Sequence, residues 1–253
     1  MSATVALFRN EARMLARTPG VLVWFTLPLL AAVVIAAIPA ARNPNPGFGG
    51  LSVSQAYTPT LTMFAISMTG LVLLPQMLGD YRELGFLRRL RTTPASAANL
   101  LTAFLALMVL LCVGAALFIA VVPLFFGAGG AERPFSYAGA VLVSTAAFLA
   151  MGTVLSAVIS SPKAASGIGT ALAATQWFAS GMWFPRAMFP EWLTIVSDLM
   201  PGGAATRLMS DAAFGTAPGA AEGWIASPVT RVAVCVAWTV VGVAVAIRTF
   251  TWE

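Results

Sequence analysis

Long apolar runs separated by short polar stretches organise this chain. From 43 to 79, and again from 92 to 131, there is no Asp, Glu, Lys or Arg, so each stretch can supply a bilayer-crossing helix of roughly 20 residues. The runs predict spans at 21–38, 58–78, 100–118, 137–159, 166–184 and 228–247. Pro28 lies inside the first and is expected to kink it, a defect membrane helices tolerate where neighbours satisfy the freed carbonyl. Ahead of them, residues 4–18 read as a helix lying along the membrane: Arg9, Arg13 and Arg17 recur on one face, and Phe8, Ala12 and Leu15 on another. Thr18-Pro19-Gly20 ends it. The expected fold is an all-α polytopic membrane protein with six transmembrane helices in one domain, 1–253.

Between the second and third runs lies a charged island at 80–91, holding six of the chain's 23 charged residues. As a helix ended by Pro94 it presents Leu84, Leu87 and Leu90 at three-residue spacing, with Phe86 and Leu90 four apart. Arg82, Arg88, Arg89 and Arg91 surround that apolar face. Such arginines anchor a loop to anionic lipid, but Leu and Phe exposed among them favour a protein groove, since a helix in a groove is read by anchors of this kind. The segment 185–227 is the longest polar one, with Glu191, Asp198, Arg207, Asp211 and Glu222 among apolar residues.

Charge orients the spans. With both termini inside, Arg9, Arg13, Arg17, Arg82, Arg88, Arg89, Arg91, Lys163 and Arg248 are cytoplasmic, against Arg42, Arg133, Arg186, Arg207 and Arg231 outside, as the excess of Lys and Arg in cytoplasmic loops requires. Arg231 is placed to snorkel at the outer end of the sixth span. Residues 185–201 are expected to fold back as short helices into the outer leaflet, because Phe184, Met188, Phe189, Trp192, Leu193, Ile195 and Val196 are too apolar for a solvated loop.

Composition narrows the chemistry. Hydrophobic residues make up 59% of the chain and charged residues 9%, against roughly 25% charged in a soluble domain, so no soluble catalytic domain fits. Histidine is absent, which removes His-based metal sites, Ser-His triads and His proton relays. Cys112 and Cys235 fall in apolar runs and read as packing residues. The single lysine, Lys163, follows Ser-Ser-Pro, which is no phosphate-cradling loop. The spans hold no ionisable group away from their ends, whereas a gradient-driven transporter binds its coupling ion at mid-membrane. An energy source, where there is one, is expected outside the membrane and outside this chain.

Three segments carry a family resemblance: Asn10-Glu11 with Arg17-Thr18-Pro19; Arg82 through Pro94; and Ser180-Gly181 with Phe184-Pro185, Met188, Pro190-Glu191-Trp192-Leu193 and Pro201. On these the chain resembles the type-2 permeases of ATP-binding-cassette (ABC) exporters, especially the daunorubicin/doxorubicin-resistance-like branch associated with multidrug resistance. The resemblance implies an interfacial first helix, a cytoplasmic coupling helix at 80–94 and an external re-entrant hairpin within 185–227 before helix six. It implies ATPase-coupling roles for Glu11, Arg82, Glu83, Leu84, Phe86, Leu87, Arg88, Arg89 and Leu90, and an external gate at Pro185, Met188, Phe189, Pro190 and Trp192. No cofactor or metal is expected in this chain; ATP and Mg belong to a cytoplasmic ABC ATPase partner in two copies. The other implied partners are a second permease copy or a sister permease and the bilayer of a bacterial inner membrane, with no nucleic acid. The chain departs from many relatives at Gly202-Gly203-Ala204-Ala205, where small residues in place of bulky ones imply a more flexible external segment.

Polar or aromatic residues otherwise costly within a span are candidates to face an export path: Thr62, Ser67, Thr69, Gln76, Thr175, Gln176 and Trp177. Each has interhelical packing or hydrogen bonding as its alternative role. A different function class stays open on the residues alone, a membrane scaffold or immunity protein that moves nothing.

Overall fold

The computed structural model describes residues 8–9, 12–15, 19–83, 97–184, 186–217 and 227–249. From residue 19 onward the described α-helices are α1 Pro19–Ala37, α2 Val53–Glu83, α3 Ala97–Phe125, α4 Pro134–Val158, α5 Pro162–Ser180, α6 Glu191–Leu199, α7 Pro201–Phe214 and α8 Pro228–Thr249. No strand occurs among the described residues, so the chain is an all-α polytopic membrane protein. Four helices are long and apolar enough to cross a membrane by length and composition: Val53–Glu83, Leu101–Phe125, Pro134–Val158 and Pro228–Thr249. Within α1 the apolar stretch Phe25–Ala37 is shorter.

The second helix begins ahead of the apolar run from which it was anticipated, and the reason is a capping box. Ser52 Oγ accepts from Gln55 N at 3.2 Å while Gln55 Oε1 accepts from Ser52 N at 3.0 Å, satisfying two donors that a helix start leaves unpaired. Half-way along α2, Met68–Leu73 widen into a π-helical stretch. Here α4 and α5 come close enough that a methyl group on Gly152 or Gly169 would overlap the carbonyl oxygens of Gly70 and Leu71. Backbones in such contact gain dense packing at the middle of the bundle.

Helix α5 runs antiparallel to α2. Its start meets Gly79 at Pro162, its middle meets Leu71 at Gly169, and Trp177 near its end reaches Ser67 and Phe64. From 79 back to 64 is about 22 Å at 1.5 Å per residue, so α5 stops part-way along the 31-residue α2, capped by Gly181 in the left-handed conformation. The remaining depth is filled by α7, which starts beside Gln176 and climbs until Ala213 O accepts from Glu132 N and Arg133 N. Every residue from Pro201 to Ser210 is buried, with α2, α4, α5 and α8 packed around the helix.

The Gly202-Gly203-Ala204-Ala205 run is thus not a loose segment. A methyl group on Gly202 would lie 2.6 Å from Gln176 O, and one on Gly203 would overlap Ser197 O. The small residues let α7 approach its neighbours closely on every side, and flexibility is what that packing removes. Residues 8–9 and 12–15 are helical, with Leu15 buried and Phe8 and Ala12 packed on Leu73, Leu74, Leu78, Tyr81 and Phe104, while Arg9 and Arg13 stay exposed.

Candidate functional site

Two regions collect the chemistry-bearing side chains. The first is the end of the bundle where α2 delivers the island. Arg82 and Glu83 are its described residues; Glu83 is exposed, and Arg82 Nη1 donates to the backbone oxygen of Ser156, in the last two turns of α4. One turn earlier, a methyl group on Gly79 would lie 3.0 Å from Pro162 Cα, so α2 is fitted against the α4–α5 turn. Glu11, Leu84, Phe86, Leu87, Arg88, Arg89 and Leu90 lie outside the described residues, as does Pro185.

The second region is a buried charge cluster joining α5, α6, α7 and α8. Asp198 Oδ1 accepts from Arg186 Nη2 at 2.6 Å and forms an ion pair with Arg207, whose Nε lies 2.9 Å away, and all three side chains are at most 6% exposed. Arg186 Nη1 also donates to Ala179 O at 2.8 Å, and Ser197 Oγ donates to the same oxygen. The end of α5 exposes carbonyls with no partner inside the helix, and these two side chains supply one. Trp238 Nε1 does the same for Leu199 O at the end of α6, at 3.1 Å. Arg231, anticipated as snorkelling, is instead 4% exposed, with Nη1 3.7 Å from Asp211 Oδ2. The reason is α7: packed beside α8, it places Asp211 where Arg231 can stay inside.

The short helix α6 reverses the usual amphipathic arrangement. Thr194, Ser197 and Asp198 face inward, while Trp192, Val196 and Leu199 at i, i+4 and i+7 are 65%, 47% and 45% exposed. Met188 and Pro190 are exposed beside them, and Phe189 stacks on Phe178 at 5.4 Å with the Arg186 guanidinium 5.9 Å from its ring centre. An apolar face turned outward from a polar one suits hydrocarbon, not water.

The candidate path residues divide. Thr62 Oγ1 shares a 2.7 Å hydrogen bond with Tyr137 Oη, and Ser67 Oγ accepts from Trp177 Nε1 at 2.8 Å. Thr69 Oγ1 donates to Ala65 O at 2.8 Å, and Gln176 Oε1 accepts from Gly202 N at 2.8 Å. All four are buried; the bonds of Thr62, Ser67 and Gln176 hold α2, α4, α5 and α7 together, while that of Thr69 stays within α2. Gln76 is half-buried, and Thr175 alone lies on an exposed face, its hydroxyl donating to Leu172 O at 2.7 Å. The charge cluster was not foreseen as a unit. The signal for it was present: a run of Gly and Ala after Pro201 implies a helix packed on all sides, which forces Arg207 inward and so demands a carboxylate.

The chain matches the ABC-2 type transporter family over residues 2–214. It belongs to that family. The protein is therefore a multi-pass membrane permease, the transmembrane component of an ABC transporter whose ATP hydrolysis is done by a separate ABC ATPase subunit. No curated protein matches the permease chain.

Proposed function

We propose that this permease is the membrane half of an ATP-driven exporter of a hydrophobic or amphipathic molecule, a drug, lipid or glycan, in a bacterial cytoplasmic membrane. Two copies, or one copy and a sister permease, enclose the path and dock two cytoplasmic ATPases, with both termini inside and the α6–α7 hairpin at the outer face. ATP-driven closure of the ATPases presses on the island and tilts the spans. The observation that carries this reading is the seating of the island's base: α2 runs unbroken to Glu83 and is fitted there against α4 and α5 by Arg82 and Gly79. A push on the island then moves helices and is not absorbed by a slack linker. The apolar outward face of α6 supports the placement of the hairpin in the outer leaflet.

Co-expression of the permease with its ATPase subunit tests the docking role. The double substitution Phe86→Asp and Leu87→Asp is expected to abolish co-purification while membrane insertion persists, a loss of a few kcal/mol of association from removing central apolar anchors. Unchanged co-purification overturns the docking role.

A further inference from the structure

We infer that Arg82 is a positioning residue that transmits movement of the island into α4, and that it does not itself hold the ATPase. This deepens the docking reading proposed above and rests on it. Among the island's arginines, Arg82 is the one whose surroundings are described, and its guanidinium points inward, donating to Ser156 O. The last turns of α4 contain no basic residue, and their carbonyls carry the negative end of the helix dipole, which a cation stabilises. Arg82 therefore supplies from α2 the cationic cap that α4 lacks in its own sequence. Ser156 is itself buried, its hydroxyl donating to Thr153 O at 2.8 Å, so the acceptor sits on a fixed part of the helix.

The position matters because Arg82 lies within the island, two residues past Asp80 where the island begins. Gly79, one turn back, is in contact with Pro162 at the start of α5. The last turn of α2 is thus held at two points, on α4 by a charge-assisted hydrogen bond and on α5 by close packing. From there α4 packs along α8 and α7, with Gly242 of α8 against Ala150. Displacement of the island is delivered through Arg82 to the helix that supports the hairpin. Without the guanidinium, the last turn of α2 loses its tie to the end of α4, while the contact of Gly70 with Gly152 and the bond of Thr62 with Tyr137 still join the two helices deeper in the bundle, so movement at the island is passed on less completely.

The test uses the full-length permease in complex with its ATPase subunit and needs no identified substrate. Met188, 72% exposed at the hairpin, is replaced by Cys as a reporter. The native Cys112 and Cys235 are each 0% exposed, so labelling by a water-soluble maleimide reads the introduced thiol. ATP with vanadate is expected to change the labelling rate of the otherwise wild-type complex. Arg82→Gln is expected to reduce that change by about tenfold, on the scale of a cation lost from a partly buried helix end. Arg82→Lys, which keeps the charge, restores part of the response. The ATPase subunit still co-purifies in both variants.

A full response in Arg82→Gln overturns the inference, and so does release of the ATPase by Arg82→Gln, which makes Arg82 a docking contact. Failure of Arg82→Lys to differ from Arg82→Gln overturns the role of the cation. A wild-type permease that never binds the ATPase refutes the docking reading itself, a result separable from all of these.

Discussion

The two ends of the permease use arginine in opposite ways. Near the island, Arg9 and Arg13 are exposed and Arg82 is half-buried. Around the hairpin, Arg186, Arg207 and, from α8, Arg231 are 8%, 2% and 4% exposed, gathered around Asp198 and Asp211. An exposed arginine keeps its hydration and is available to lipid headgroups or a partner, whereas a buried one is held by its counterion and by the carbonyls it caps. The island end thus presents Arg9 and Arg13 to their surroundings. At the hairpin end, Arg186, Arg207 and Arg231 each have a carboxylate of the same chain within 4 Å.

The comparison is broken most directly at Asp198. Asp198→Ala leaves two buried guanidiniums without their shared carboxylate and is expected to cost about 3–5 kcal/mol, seen as a collapse in melting temperature of the detergent-solubilised protein. The triple variant Arg186→Met, Asp198→Leu, Arg207→Met removes all three charges together and is expected to recover much of that loss, because replacing a buried ionic group by apolar residues is often neutral. Equal damage in the two variants would mean that the cluster acts through shape, not charge.

A smaller effect isolates packing from charge in the same hairpin. Gly203→Ala puts a methyl group where Ser197 O already sits and is expected to destabilise by about 1–3 kcal/mol, again read as a melting temperature. A neutral result would show that α6 and α7 can part without loss, contrary to a tightly seated hairpin.

The smallest stability effects belong to the exposed residues, and there the readouts separate. Arg13→Gln at the island end is expected to change stability by no more than about 0.5 kcal/mol. Trp192→Ala, on the outward face of α6, is expected to leave assembly and ATPase co-purification intact while reducing ATP-dependent efflux of a lipophilic dye. Full efflux by Trp192→Ala would remove the gate role from that face.

Much of the architecture was legible because hydrophobic runs of span length have few alternatives in a bilayer. The all-helical class, the island between two uncharged stretches and short helices within 185–201 were readable from residue order. Helix limits were less so. The start of α2 was set by Ser52 and Gln55 outside the apolar run, and α5 ends at Ser180 because Gly181 turns left-handed. The polar residues of the spans were visible as exceptions, but their partners were not: Thr62 meets Tyr137 across 75 residues, and Ser67 meets Trp177 across 110.

By itself, then, the sequence determined that this chain is helical and lives in a membrane, and it marked the island as a basic, partly apolar stretch between two uncharged ones. Those properties depend on local composition and periodicity, which need no knowledge of the fold. Tertiary structure decided the rest. Residues 201–210 became a buried helix because small side chains permit close approach only when neighbours are there to approach. Arg186, Arg207 and Arg231 became internal because Asp198 and Asp211 were carried to them by that helix and its partner. The environment of a charge is a property of what surrounds it in space, and residue order along the chain does not contain it.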